Sequence, residues 1–242
     1  NRVEKETVVY YETLKNRYPN VRILTWKKEF NYSAINNFAV REARGEYLLF
    51  LNNDVEIITE SWLEEMLQLC QQKDVGMAGA KLYYPDDTIQ HAGVVVGLGG
   101  VAAHVLCKLP RDAEGYMGRL RCVQEISAVT AACMMVKTSV FKAVGGFDEE
   151  LKVAFNDIDL CMKVRKYGVK IVFTPYAELY HYESKSRGME DTPEKQLRFS
   201  REVNCFRRKW ERELLKGDPY YNPNLTLNNT DCSLRKQEKN GD

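Results

Sequence analysis

Helix-length amphipathic segments alternate with short apolar runs through the first part of this chain, which restricts it to a sheet covered by helices. Residues 7–17, 33–44 and 60–72 read as helices. The third places Trp62, Leu63, Met66, Leu67 and Cys70 on one face. Residues 21–26, 47–51, 75–83 and 91–96 read as strands. Residues 97–124 then turn irregular, with five glycines and a proline, before strand signals return over 127–136. A short helix to residue 144, a helix over 156–167 stopped by Gly168 and a strand over 170–179 follow. The last helix, 194–216, carries Phe199, Val203, Phe206, Trp210 and Leu214 in a stripe that requires a core or a partner. The fold class is therefore α/β, a mixed central sheet flanked by helices over residues 1–216. Residues 217–242, rich in turn formers, read as an extended tail.

With 242 residues the chain can hold one sizeable core. Its 35 basic and 34 acidic side chains leave a net charge of +1, which gives no global attraction to nucleic acid or membrane. No apolar run reaches the roughly 18 residues of a membrane span, and residues 1–7 are too polar for a signal peptide. Seven cysteines at irregular spacing, without a CxxC pair, point to a reducing compartment rather than disulfides or zinc. The expected location is cytoplasmic, and the sequons at Asn31, Asn224 and Asn228 then carry no weight.

Three polar constellations stand at the ends of these elements. The run "EYLLFLNND" stops a strand on Asp54 behind Asn52 and Asn53, which suits either a plain turn or a carboxylate that grips a cation. The segment "FNDIDLC" places Asp157 and Asp159 on the first turn of a helix. Either Asn156 or Asp157 serves as the helix N-cap, or a carboxylate held there takes a proton from a hydroxyl. The segment "ELYHYESKSRG" delivers His181 from a strand and then presents Ser184, Lys185, Ser186 and Arg187 before Gly188, a pattern suited to a metal ligand beside a phosphate clamp. Cation, base and clamp together are what sugar transfer from a nucleoside diphosphate requires.

At this point the chain resembles family 2 glycosyltransferases of the GT-A fold, especially the bacterial type linked to rhamnose-containing surface polysaccharides. The resemblance runs from "FNYSAINNFAVREARGEYLLFLNNDVEI" through "VTAACMMVKTSVFKAVGGFDE" and "FNDIDLCMKVRKYGVKIVFTP" to "HYESKSRG". It implies a metal-assisted, inverting transferase. Asp157 would be the base, with Asp54 and His181 on Mn²⁺ or Mg²⁺. Asn37, Asn52, Asn53, Ser186 and Arg187 would lie on the donor side, and Gly145, Gly146, Phe147 and Asp159 on the acceptor side. Asn52, where the family has an acidic residue, implies modest metal affinity. The implied donor is a UDP- or dTDP-linked sugar, and the acceptor a glycan or lipid-linked glycan at the inner face of the membrane. Family members open with a strand of the type "VSIIIPTYN", which this chain lacks, so an unpaired gap is expected beside the strand at 21–26.

Other readings compete. Gly97, Gly99 and Ala102 fit the dinucleotide pattern G-x-G-x-x-A, although Pro110 interrupts the helix it needs. A non-catalytic module of the same fold would bind glycan or a partner only. Arg207, Arg208, Lys209 and Arg212 around Trp210 could dock on anionic lipid, or form a solvated face behind a packed tryptophan. His91 and His104 read as structural.

Overall fold

A computed structural model describes residues 5–183 and 192–236. Ser184, Lys185, Ser186, Arg187 and Gly188, the expected diphosphate clamp, lie outside the described residues.

The elements are α1 (Lys5–Arg17), α2 (Tyr32–Glu42), β1 (Tyr47–Leu51), β2 (Val55–Ile57), α3 (Trp62–Gln71), β3 (Val75–Tyr83), β4 (Ile89–His91), β5 (Val94–Val96), β6 (Ala102–His104), β7 (Gln124–Glu125), β8 (Cys133–Lys137), α4 (Thr138–Ala143), α5 (Asn156–Tyr167), β9 (Lys170–His181) and α6 (Pro193–Lys216). Seven strands form one mixed sheet in the order β1-β8-β3-β9-β2, with β4 added to β3 and β7 to β9. β3 and β9 run parallel at its centre, and the other pairings are antiparallel. Every residue of β3 is buried because helices cover both faces of the sheet. On one face Trp62, Met66, Leu69 and Cys70 of α3 pack against Ala78, Ala80 and Leu82. The opposite face holds the larger core, including Leu160, Cys161 and Val164 of α5 and Phe206 and Trp210 of α6. All seven thiols are free, and burial pushes that of Cys133 up to about 12.

Two expectations are corrected here. Residues 21–26 form no strand; they run extended without a ladder, and Leu24 is exposed. A strand needs a neighbour with free backbone groups, and apolar alternation alone does not supply one. The described sheet ends instead on β1, paired only with β8, and on β2, paired only with β9. The second correction concerns residues 127–136. Only Cys133–Lys137 joins the sheet there, and residues 126–132 form a loop whose amides point to other partners.

The dinucleotide reading also fails. Gly97, Gly99 and Gly100 all have positive φ and make a tight turn between β5 and β6, which pair antiparallel. A fingerprint glycine run must lead from a strand into a helix. The stripe on α6 finds its core: Trp210 is buried, Arg207 bonds the Gly100 carbonyl, and Lys209 pairs with Asp148 and Asp159. The described part of the 217–242 stretch lies against the β5–β6 hairpin. There Asp218 accepts from the Val96 amide and the Leu227 carbonyl accepts from that of Gly99. Among the described residues no helix is long and apolar enough to cross a membrane.

Gly93 joins β4 to β5 at φ +102, and a Cβ there would come within 1.6 Å of the Ile126 Cδ1. Both backbone strain and overlap oppose a side chain. Gly93→Ala is expected to destabilise the fold by about 2–4 kcal/mol, lowering the thermal midpoint by roughly 5–10 °C. A midpoint within about a degree of the parent would contradict this packing.

Candidate active site

Asp54 and His181 meet because of strand register. The Asn52 amide bonds the Ala132 carbonyl at 3.0 Å, extending the β1–β8 pairing by one residue. The chain then turns at Asn53 and Asp54 and enters β2, whose Val55 stands opposite His181 at the end of β9. The Tyr182 amide closes the ladder on the Asp54 carbonyl at 2.8 Å. So the abrupt end of "YLLFL" is a turn, and the same turn aims a carboxylate at an imidazole.

The chemistry of that contact follows from Gln90, a buried residue of β4. Its amide nitrogen donates to the His181 carbonyl at 3.2 Å, which leaves its amide oxygen facing His181 Nδ1 at 2.7 Å. Nδ1 must then carry a proton, and in the neutral ring Nε2 presents a lone pair. Asn52 Nδ2 donates to that lone pair at 3.1 Å. Asp54 Oδ1 lies 3.3 Å from the same Nε2, is buried, and has no hydrogen-bond donor. With the ring neutral, two acceptors facing each other at this distance repel unless a cation or a proton on Nε2 lies between them. The donor set, one carboxylate and one imidazole, fits a small divalent ion. Among the described residues no group of three or more His, Cys, Asp or Glu side chains is placed to bind a metal; Asp54 and His181 are a pair.

Asp157 reaches the site from α5. The residue before the helix, Phe155, has a left-handed backbone (φ 61, ψ 4) that lets the chain turn sharply into its first residues. α6 holds this turn. Phe155 stacks between Phe199 and Phe206, and the buried Glu202 accepts from the Val153 and Ala154 amides at 2.9 and 3.0 Å. Asp157 is not the N-cap residue, which is Phe155, yet its carboxylate satisfies one amide of the first helical turn. Its Oδ2 accepts from the Ala131 amide at 3.2 Å and its Oδ1 from the Ile158 amide at 2.9 Å. Tyr32 donates to the Ala131 carbonyl at 3.3 Å; burial raises its pKa, and the nearby Asp157 charge raises it further. Residues 131 and 132 therefore join the two halves, with Ala131 on Asp157 and Ala132 on Asn52.

The remaining candidates divide. Asn37 does not face this centre with its amide, which is consumed by both backbone polar groups of Phe147 and by Glu149. It therefore shapes the Gly145-Gly146-Phe147 turn, whose two glycines both have positive φ. Phe147 is buried against Tyr32, Phe50 and Phe141. Asn53 is exposed on the turn. Asp159 is fully buried and committed to Trp210 Nε1, Lys163 and Lys209. Cavities of about 580 and 660 Å³ open elsewhere, around Lys81, Arg121 and Glu178. Gln90, Tyr32, Glu202 and the Ala131 amide were not singled out from sequence. Glutamine in an apolar strand and glutamate on a helix carry no mark of their distant partners.

The mixed sheet flanked by helices is the GT-A fold, which the chain shares with solved glycosyltransferase structures. Residues 2–145 match glycosyl transferase family 2, more than half of the chain, and the chain belongs to that family. It is 53% identical over 233 residues to the uncharacterized protein y4gI of Sinorhizobium fredii, covering 96% of this chain and 26% of that protein. It is 42% identical over 225 residues to the O-antigen biosynthesis protein RfbC of Myxococcus xanthus, covering 93% of this chain and 17% of the relative. The chain thus spans about a quarter of the first relative's length and about a sixth of the second's. Among solved structures it is similar to the mannosyltransferase PcManGT from Pyrobaculum calidifontis in complex with GDP-Man and Mn²⁺. That similarity has a TM-score of 0.59 at 14% identity and covers 87% of this chain and 53% of that one.

Proposed function

We propose that this chain carries out metal-dependent, inverting transfer of a sugar from a nucleoside-diphosphate donor to a hydroxyl of a glycan or lipid-linked glycan. The observation that carries the reading is the pair of facing acceptors, Asp54 Oδ1 and His181 Nε2, 3.3 Å apart. Bound there, Mn²⁺ or Mg²⁺ would supply positive charge to the diphosphate as the bond to the sugar breaks. Asp54 and His181 would hold the ion, and Gln90 keeps the imidazole in the ligating tautomer. Asp157, anchored by the Ala131 and Ile158 amides, would accept the proton of the attacking hydroxyl, and the N-terminal turn of α5 favours its anionic form. A single positioned base, with no nucleophile placed to form a covalent sugar intermediate among the described residues, supports inversion. Ser186 and Arg187 keep their proposed place at the diphosphate.

The relative named for O-antigen biosynthesis supports a surface polysaccharide as the product class. A cytoplasmic site of action at the inner membrane face goes with such an acceptor. The test is calorimetry with UDP and with dTDP, each with and without Mn²⁺, on this chain and on a version extended upstream. Nucleotide binding that requires the ion is expected. Binding of equal strength without it would overturn the metal assignment, and no binding by the extended version would favour a glycan-binding module.

A further inference from the structure

The β3–β9 ladder slips its register between Gly79 and Lys81. Two cavities of about 580 and 660 Å³ open there, and Lys81, Arg121 and Glu178 line both. Each has the size of a small-molecule site, about 300–1,000 Å³. We propose that together they form a trough that binds a neutral saccharide, with sugar hydroxyls on Lys81 and Glu178 and one ring face on Tyr176. The proposal goes beyond the transferase reading and does not depend on it. Glu178 and His181 stand three apart on β9 and so face opposite sides of the sheet, which sets the trough apart from the Asp54–His181 pair.

The Lys81 ammonium is the group that asks for a ligand. Lys81 is 5% exposed, and its Nζ donates to the Leu120 carbonyl at 3.2 Å, one bond for three N–H groups. Glu178, opposite it in the β3–β9 ladder, would be its natural counter-ion. That carboxylate is committed elsewhere, one oxygen to the Tyr83 hydroxyl and the other to Arg111 at 3.4 Å. The Tyr83 ring lies 5.3 Å from the ammonium and is shared with Arg111 at 4.9 Å. Burial lowers the Lys81 pKa; Glu178 opposes this, and Arg111 and Arg121 add to it. A buried ammonium with a single acceptor is costly, and oxygens entering from the trough would supply the acceptors it lacks.

The walls select a sugar over an anion. Five carboxylates and three cations line the trough, so no positive field draws a negative group into it. A sugar hydroxyl both donates and accepts, and can meet an ammonium and a carboxylate at once. Ser61 makes no capping bond although it precedes α3, which leaves its hydroxyl free to turn into the trough. Tyr176 is exposed beside Pro175, and its hydroxyl bonds the Arg121 carbonyl at 3.1 Å, which fixes the ring. A held aromatic face next to charged and hydroxyl groups matches a pyranose, which has an apolar C–H face and a polar edge.

Amide NMR of this chain provides the test, with the methyl glycosides of glucose, galactose, mannose and rhamnose as probes. Glycerol serves as a polyol control, and glucuronate and inorganic phosphate as anion controls. At least one glycoside is expected to give saturable shifts at residues 81, 120 and 176–178, with a Kd at least ten-fold below that of glycerol and of both anions. Lys81→Met is expected to weaken that binding by about ten-fold or more, the loss of hydrogen bonds to a charged group. Tyr176→Ala, a change at an exposed side chain, should weaken it by about ten-fold while leaving calorimetric UDP and dTDP binding as in the parent. Should Lys81→Met fail to fold, Tyr176→Ala decides alone. Shifts from none of the four glycosides, tighter binding of glucuronate or phosphate, or a Tyr176→Ala affinity equal to the parent's overturns the proposal and leaves the transferase reading standing.

Discussion

Asp157→Asn is expected to leave nucleotide and metal binding intact and to lower transfer by about 10³-fold or more, toward the upper range for loss of a general base. The separation rests on geometry. Asn52, two residues before Asp54 and bonded to His181, is tied to Ala132, whereas Asp157 is tied to the neighbouring Ala131. The Asp157 carboxylate accepts two amides, one on each oxygen. An asparagine can satisfy only one of them and turns an N–H toward the other, so a drop of a few degrees in the thermal midpoint should accompany the substitution. Nucleotide affinity by calorimetry and turnover by product release should therefore part company. If turnover stays within about ten-fold of the parent, Asp157 is not the base, and another acceptor of the proton must be sought.

The second large effect has an unusual sign. With the ring neutral, Asp54 Oδ1 and His181 Nε2 are both acceptors, and in the absence of a cation their contact is unfavourable. Asp54→Asn removes the carboxylate charge from that contact, while Asn52 keeps the Nε2 lone pair. Without metal, this variant is expected to be more stable than the parent by about 1 kcal/mol, the relief of an unsatisfied buried acceptor. With Mn²⁺ the order reverses: the parent gains stability through binding, and the variant gains none. Thermal melts over a manganese titration would show crossing curves. Gln90→Leu makes a graded comparison, because it removes the group that orients the imidazole but keeps both ligands. Its metal affinity should fall by about 10- to 100-fold. A variant Asp54→Asn that melts lower than the parent without metal, and still responds to Mn²⁺, would remove this carboxylate from the metal site.

What the sequence disclosed about this site follows the range of the interactions involved. Asp54 and His181 were legible because each closes a strand whose apolar run is local, and Asp157 because it opens a helix with a clear 3.6-residue pattern. Strand membership itself is a property of pairs. Residues 21–26 have the alternation of a strand and no ladder, and residues 127–132 have strand composition yet form a loop, because the Thr130 and Ala131 amides are taken by His91 and Asp157. Asp159 shows the converse limit. Its spacing from Asp157 looked cooperative, but an i, i+2 pair on a helix points to different sides, and Asp159 faces Trp210 and Lys209 in the core. Gln90 and Glu202 could not be found from local pattern at all, since their meaning depends on His181 and on the Val153 and Ala154 amides.

The grip of Glu202 on the turn before Asp157 bears on how short a working piece of this polypeptide can be made. A truncation placed after β9 would keep both proposed ligands and the base, yet would free two amides in a bend that a bulky aromatic residue adopts only under restraint. Such a piece would have its reactive groups present and poorly aimed. Any trimmed or grafted version should therefore run through α6, even though that helix supplies none of the proposed site residues.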